Sequence, residues 1–180
     1  MNRCKWVNLD NPLYVDYHDT EWGIEKHDDK YLFELLILEM FQAGLSWECV
    51  LNKRENFRVS FENFEYEKIS NYDDDKVKEL LCNTGIIRNK LKIKASIINA
   101  KVFIDIRNEY GSFSNYIWSF TDNKVIKNTT DIFVTHNELS DMISKDLKKK
   151  GMKFVGTTII YSYLQAIGII NDHEVNCSFY

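Results

Sequence analysis

The stretch DDKYLFELLILEMFQAG, residues 28–44, predicts a long helix with a broad apolar stripe. Two aspartates at its head and Gly44 at its end are the usual start and stop signals of a helix. Glu39 interrupts the apolar run, and a carboxyl group is costly to bury unless it is paired or used. Glu39 therefore either lies on the solvent face, as we expect for Glu34, or takes part in a functional site.

The pattern on both sides of this helix is also helical. Apolar residues recur at helical spacing between start and stop signals, and no alternating strands joined by a tight turn are found. Residues 121–135 are polar and predict a loop. We therefore expect an all-α protein whose residues 1–180 form a single domain. The further predicted helices lie within residues 46–57, 73–85, 89–111, 137–151 and 154–168.

The composition restricts the classes of function. With 180 residues and 44% hydrophobic content, the chain can fill a real core. Its net charge is -4, so nucleic-acid binding requires a local basic patch. No apolar run reaches the ~18–20 residues of a membrane span, and the first ten residues lack a signal-peptide pattern. We expect a cytoplasmic protein with no membrane partner, and we expect Cys49 and Cys82 in the core rather than in disulfides.

The motif NDHEVNC, residues 171–177, places His173 and Cys177 four residues apart, on one face if the segment is helical. Cys4 and His18 lie near the other end of the chain. Together the four side chains make a Cys2His2 set, which suits a closed tetrahedral zinc site. The alternative is an exposed histidine and a half-buried cysteine with no metal.

Aromatic residues are concentrated in the first part of the chain. They predict either a plain aromatic core or a box for a flat, cationic ligand. In such a box, Glu39 could accept hydrogen bonds from a polar edge of the ligand. The aromatic residues in question are Trp6, Tyr14, Tyr17, Trp22 and Trp47.

Two basic clusters, RNKLKIK at 88–94 and KDLKKKGMK at 145–153, are typical of solvated surface. The second leads directly into FVGTT and a predicted helix. Two helices joined by a glycine-containing hairpin can present backbone N–H groups to a phosphate.

The longest motifs resemble one family. They span residues 3–177, in the family's order, and the chain resembles the bacterial 3-methyladenine DNA glycosylases I. This resemblance implies a compact all-α fold of the helix-hairpin-helix DNA glycosylase type. The motifs are RCKWVNLDNPLYVDYHDTEWG at 3–23, LLILEMFQAGLSWECVLNKRENF at 35–57, GIIRNKLKIKASIINA at 85–100 and KGMKFVGTTIIYSYLQAIGIINDHEVNC at 150–177.

The resemblance also implies the site residues. One structural Zn²⁺ per chain would join the N- and C-terminal ends through Cys4, His18, His173 and Cys177. The base pocket would consist of Glu39, Tyr17 and Trp47, walled by Trp6, Tyr14 and Trp22. The DNA contacts would comprise the probing loop at Gly44 and Leu45 and the hairpin residues Lys149, Lys153 and Thr157.

The implied reaction is hydrolysis of the N-glycosidic bond of 3-methyladenine, flipped out of double-stranded DNA and released as free base. Glu39 is the candidate catalytic residue, although base recognition alone would explain it equally well. Asp172 is the nearest candidate for the water-orienting aspartate that many helix-hairpin-helix glycosylases carry shortly after the second helix of the hairpin, but we expect it to support the metal shell. No lysine is placed as a lyase nucleophile, so we expect a monofunctional enzyme, acting as a monomer.

Two other classes remain open. One is a non-catalytic, zinc-stapled helical domain that binds damaged DNA, and the set Glu39, Tyr17 and Trp47 argues against it. The other is a structural helical protein without nucleic acid, and the motif QAGLSW and the lysine-rich hairpin argue against that.

Overall fold

A computed structural model describes residues 1–130 and 132–180. The described residues form ten α-helices, a short 3-10 turn at Glu62–Phe64 and two two-residue strands, which confirms the all-α prediction. The helices are Pro12–Thr20 (α1), Asp29–Gln42 (α2), Trp47–Leu51 (α3), Arg54–Ser60 (α4), Tyr66–Ile69 (α5), Asp74–Cys82 (α6), Lys90–Tyr110 (α7), Phe113–Ser119 (α8), Glu138–Lys150 (α9) and Thr157–Ala166 (α10). The strands are Ile126–Lys127 (β1) and Ile170–Asn171 (β2).

Helix α2 is the centre of the fold. It begins where predicted, because the Asp28 side chain accepts a hydrogen bond from the Tyr31 amide at 2.8 Å. Every residue from Leu32 to Phe41 is buried, including both glutamates. A helix that is apolar nearly all round must be covered on all sides, and α3, α7, α8 and α10 pack against it.

The predicted helix over 46–57 is two helices. The first, α3, ends at Leu51. Asn52 follows it as the C-cap, with its N–H bonded to the Glu48 carbonyl, and α4 begins at Arg54. The break turns α4 so that the Phe57 ring packs on Phe41, with ring centroids 4.7 Å apart. Packing with α2 therefore outweighs the continuous helical signal in the sequence.

Two expectations about burial were wrong. Cys82, at the end of α6, is exposed, and Cys49 is only half-buried, because each lies at the edge of its apolar face. Glu34 is buried rather than solvent-facing, since Arg54 and Arg58 contact its carboxylate at 2.6 and 2.8 Å.

Short helices that the periodicity did not predict are fixed by local signals. Helix α1 begins at Pro12, and the Asn11 side chain accepts a hydrogen bond from the Leu13 amide. Helix α8 is capped by Ser112. Both signals are present in the sequence, but a helix of seven to nine residues carries too little periodicity to be recognised.

The 121–135 segment is irregular apart from β1, which pairs in parallel with β2 in the register Ile126 to Ile170. Residue 131 of the predicted loop lies outside the described residues. Within the described ranges, no helix combines the length and the apolar character that crossing a membrane requires.

Candidate functional site

A cavity of about 460 Å³ lies between the N-terminal segment, α1, α2 and the segment that follows α10. The five aromatic side chains predicted for the pocket and Glu39 are among the residues that line it, so the structure brings all of the predicted pocket residues together. The aromatic residues are Trp6, Tyr14, Tyr17, Trp22 and Trp47.

The aromatic rings form two contiguous walls. Trp6 packs on Tyr14 and Trp22, with ring centroids 5.3 and 4.8 Å apart, and Tyr17 packs on Trp47 at 5.0 Å. Trp6 keeps 37% of its surface exposed, whereas Tyr17, Trp22 and Trp47 are buried. Part of the aromatic set thus contributes to the core, as the plainer expectation held, while its inner faces enclose a flat space.

Glu39 enters this space from the middle of α2. Its side chain is buried, and its Oε2 atom has no hydrogen-bond partner in the part of the chain that the structure describes. Burial alone raises the pKa of Glu39 from 4.5 to about 8. A buried carboxyl oxygen without a partner costs free energy, so this position is explained by a ligand that supplies the missing contact.

Trp47 and Tyr17 flank this carboxyl group. The Trp47 Nε1 donor is buried and lacks an acceptor among residues 1–130 and 132–180. The pKa of Tyr17 is raised by burial and by the neighbouring Glu39, so its hydroxyl group stays protonated at neutral pH. The cavity therefore combines flat apolar walls with an orphan acceptor and an orphan donor, which is the chemistry of a heteroaromatic ring.

A second cluster lies behind one aromatic wall. The ligand atoms of Cys4, His18 and Cys177 all lie within 4.8 Å of one another, and the three side chains are buried. The His18 Nδ1 atom lies 2.7 Å from Asp19 Oδ1, which leaves Nε2 directed to Cys177 Sγ at 3.5 Å. A carboxylate that bonds to the far nitrogen of a histidine is the usual support for a metal ligand. Asp19 directly follows His18 in the sequence motif YHD.

His173, the fourth predicted ligand, is outside that triplet but adjoins it, with its ring centroid 5.0 Å from that of His18. Its Nδ1 atom contacts Asn171 Oδ1 at 2.9 Å, and its buried Nε2 has no partner within the described ranges. Burial lowers the pKa of His173 to about 4, so the ring is neutral at physiological pH. Neutral histidine with a free Nε2 is the form that binds a metal.

The loop between α2 and α3 lies at the rim of the cavity. Gln42 lines the cavity, Gly44 has a φ of +79°, and Leu45 is 44% exposed. Because its backbone is in the left-handed region, Gly44 permits the tight turn that leaves the Leu45 side chain projecting.

Residues 151–156 join α9 to α10, and these two helices pack along one another. Lys149 and Lys153 are exposed. The hydroxyl group of Thr157, the first residue of α10, bonds to Asp141 and Ser140, so its side chain serves the fold.

Comparison with known proteins agrees with this geometry. The family model for methyladenine glycosylases matches residues 6–180. The chain belongs to the methyladenine glycosylase family.

Individual members of the methyladenine glycosylase family are similar over their whole length. DNA-3-methyladenine glycosylase 1 of Escherichia coli is 46% identical, over 100% of this chain and 97% of the relative. The solved 3-methyladenine DNA glycosylase I from Staphylococcus aureus is 34% identical with a TM-score of 0.94, covering 99% and 96% of the two chains. A tyrosine-to-phenylalanine variant of such an enzyme, solved in complex with 3-methyladenine, has a TM-score of 0.93 at 34% identity, covering 99% and 97%.

Two residues that line this cavity were not assigned to it from the sequence. Asp172 does not support the predicted metal ligands: its carboxylate accepts hydrogen bonds from Asn128, Tyr161 and Gln165 and lines the cavity. Phe133, in the predicted loop, also reaches the cavity wall. The position of Asp172 beside His173 marks it as a candidate, whereas no pattern in the sequence marks Phe133 as a cavity residue.

Proposed function

We propose that this protein is a monofunctional DNA glycosylase of base-excision repair, which hydrolyses the N-glycosidic bond of 3-methyladenine flipped out of duplex DNA. The observation that carries the proposal is the Glu39 Oε2 atom, which lies in an aromatic cavity without a hydrogen-bond partner among the described residues. The activities named for the relatives are consistent with it. We further propose that residues 1–180 act as one domain and as a monomer.

The charge of the lesion fits this cavity. Methylation at N3 gives the base a positive charge while it is attached to the sugar. Electron-rich ring faces and an acidic side chain favour such a cation over the neutral purines of undamaged DNA. The cation also lowers the pKa of Glu39 towards its ordinary value, so substrate binding favours the carboxylate form.

The reaction neutralises that charge. When the bond between the sugar C1′ and the base N9 breaks, its electron pair moves to the base, which leaves as neutral 3-methyladenine. Water supplies the hydroxyl group at C1′ and loses a proton, leaving an abasic site. Because the cationic base is a good leaving group, Glu39 serves mainly to select and hold it, and rate acceleration by Glu39 requires contacts that strengthen in the transition state.

DNA contacts are assigned to the two exposed loops. Leu45 would occupy the gap that the flipped nucleotide leaves in the duplex, with Gly44 allowing close approach of the backbone. Lys149 and Lys153 would neutralise phosphates, and the first amides of α10, from Thr157 on, would bind one phosphate at the helix N-terminus. Gly156, the N-cap of α10, has no side chain to compete for those amides.

The cluster near the chain ends would hold one structural Zn²⁺ through Cys4, His18, His173 and Cys177. The fit is supported by the convergence of Cys4, His18 and Cys177 and by the buried Nε2 atom of His173, which has no hydrogen-bond partner among the described residues. When bound, the ion would be closed by four protein ligands and would supply rigidity rather than a reactive water. Trp6 and Trp22 pack against the two histidine rings, so the cluster braces one wall of the cavity.

Release of free base tests the activity. Purified protein incubated with methylated duplex DNA should liberate 3-methyladenine, detected by chromatography, and leave alkali-labile sites without prior strand cleavage. A protein that binds methylated DNA but releases no base would be the non-catalytic binder instead.

Metal analysis tests the cluster separately. We expect about one equivalent of zinc in the purified protein and its loss in a Cys4→Ser, Cys177→Ser double variant. A Cys49→Ser, Cys82→Ser variant, in which the two cysteines outside the cluster are replaced, is the matched control. A well-folded wild-type protein without zinc would refute the metal assignment and leave the glycosylase proposal intact.

A further inference from the structure

Helix α7 carries a buried polar stripe. Lys92, Ser96 and Asn99 follow one another at spacings of four and three residues, so they share a face, and their side chains are 5%, 0% and 0% exposed. Polar side chains in such positions are costly unless each has a partner. All three side chains are hydrogen-bonded. The partners of Lys92 and Asn99 lie outside α7, whereas the partner of Ser96 lies within it.

Lys92 holds the end of α2. Its Nζ atom donates to the main-chain carbonyls of Phe41 at 2.9 Å and Ala43 at 2.6 Å, immediately before Gly44 and Leu45. It forms no salt bridge with an acidic side chain of the described residues. The helix C-terminus itself supplies the negative partial charge that the ammonium group needs.

Asn99 holds the α9–α10 hairpin. Its Oδ1 atom accepts from the Lys153 main-chain N–H at 2.8 Å, and its Nδ2 donates to the Lys153 carbonyl at 3.0 Å. One amide side chain thus satisfies both polar groups of a single hairpin residue. The hairpin also packs on α7 at Gly151, where an added Cβ would lie 3.6 Å from Val102.

We propose that Lys92 and Asn99 are positioning residues that fix the Gly44–Leu45 loop and the 151–156 hairpin at a set separation, so that both engage one DNA duplex. The two anchors are seven residues apart, about 10 Å along a rigid helix. The inference rests on the proposed DNA glycosylase function, because it assigns both loops to the same substrate.

Positioning, rather than packing, explains the choice of side chains. An apolar residue of similar length at position 92 would fill the same space without burying an ammonium group. Burial lowers the pKa of Lys92, because the charged ammonium group is disfavoured away from water. The hydrogen bonds end on loop backbone, so what they determine is where the loops lie. A displacement near 1 Å at such contacts can reduce a rate by about a hundredfold.

Lys92→Met and Asn99→Leu test the inference. Each keeps approximate volume and removes the bonds to one loop, and Asn99→Leu also removes the 3.5 Å contact of Asn99 Nδ2 with Met40 Sδ on α2. In single-turnover excision, with enzyme in excess over methylated duplex but below saturation, each should be about tenfold to a hundredfold slower. The affinity for free 3-methyladenine, measured by calorimetry, should fall much less than the excision rate, because neither side chain bonds to Glu39 or to the aromatic walls of the cavity. Ser96→Ala is the matched control, since Ser96 Oγ donates to the Lys92 carbonyl within α7, and both quantities should remain at the wild-type level.

Amide hydrogen exchange provides a second measurement that does not depend on activity. Lys92→Met should accelerate exchange in residues 42–46, and Asn99→Leu in residues 151–156, with the rest of α7 unaffected. Equal losses for duplex and free base, or unchanged excision in both variants, would overturn the inference. If the wild-type protein releases no base, the proposed function fails instead, and localised exchange would still establish that the two residues hold the loops.

Discussion

Glu34 and Glu39 lie five residues apart on α2, and both are buried, yet their surroundings are opposite. Glu34 accepts hydrogen bonds from Arg54 Nε at 2.6 Å and Arg58 Nε at 3.0 Å, and Arg54 also pairs with Glu21. Glu39 has an Oε2 atom with no partner in the described structure. The Glu34 carboxylate is neutralised by arginines of the fold, whereas the Glu39 carboxyl group is available to a ligand.

The difference separates a structural charge from a functional one. Burial alone would lower the pKa of Arg54, but Glu34 and Glu21 outweigh it and hold that pKa above its ordinary value. Around Glu39, by contrast, burial is uncompensated and the carboxyl pKa rises to about 8. A buried group left unsatisfied at a cost in stability is a candidate for ligand binding.

Glu34→Gln should produce the largest change in stability. It removes the anion from a buried ionic cluster and leaves Arg58 with only the exposed Glu55, so we expect destabilisation by about 3 kcal/mol. Urea unfolding measures this loss. Glu55→Gln is the control, since that exposed pair should contribute under about 1 kcal/mol. If the Glu34→Gln variant is as stable as the wild-type protein, Glu34 is not a structural charge, and the contrast with Glu39 fails.

Glu39→Gln should change stability in the opposite direction. The carboxyl group ionises above about 4.5 in the unfolded chain but only above about 8 in the folded chain, so its contribution to stability falls as the pH rises between these values. Replacement by glutamine removes that loss, so at pH 7 the variant should be more stable, by at most about 3 kcal/mol. The gain should grow from pH 5 to pH 8 in thermal unfolding. Destabilisation at pH 7 would show that Glu39 is satisfied in the free protein.

The two glutamates also differ in how far their surroundings can be predicted from the sequence. Glu39 could be predicted because it interrupts an apolar run and because the surrounding motif resembles a known family. The burial of Glu34 could not, since its partners Arg54 and Arg58 come from a helix whose break at Asn52 is set by packing on α2. Helix periodicity is a local property, whereas an ion pair between helices depends on tertiary geometry.

The same limit applies to the site. Cys4, His18 and Cys177 were predicted from their residue types, and the structure brings them together. The place of Asp172 in the cavity wall depends on donors from two segments, Asn128 after β1 and Tyr161 and Gln165 on α10, and no spacing in the sequence encodes that meeting.

Trp47→Phe should have the smallest effect on stability and sharpens the assignment of the cavity. It keeps a ring against Tyr17 and removes the buried Nε1 donor that lacks an acceptor in the described chain. Stability should change by less than about 1 kcal/mol, because no hydrogen bond of the free protein is lost. The affinity for free 3-methyladenine should fall by roughly fivefold if a ligand atom accepts that bond. Calorimetry on the wild-type protein and the variant measures this affinity. An unchanged affinity would show that Trp47 stacks on the base without donating a hydrogen bond to it.

The pH dependence of excision tests the central assignment, in which the Glu39 carboxylate receives the cationic base. Since kcat/KM reports ionisations of the free enzyme, wild-type kcat/KM on methylated duplex should rise with pH and level off near the Glu39 pKa of about 8. Glu39→Gln, measured in parallel, should show a lower and flat profile. A wild-type profile without a rise between pH 6 and 8, or the same rise in the glutamine variant, would contradict the account.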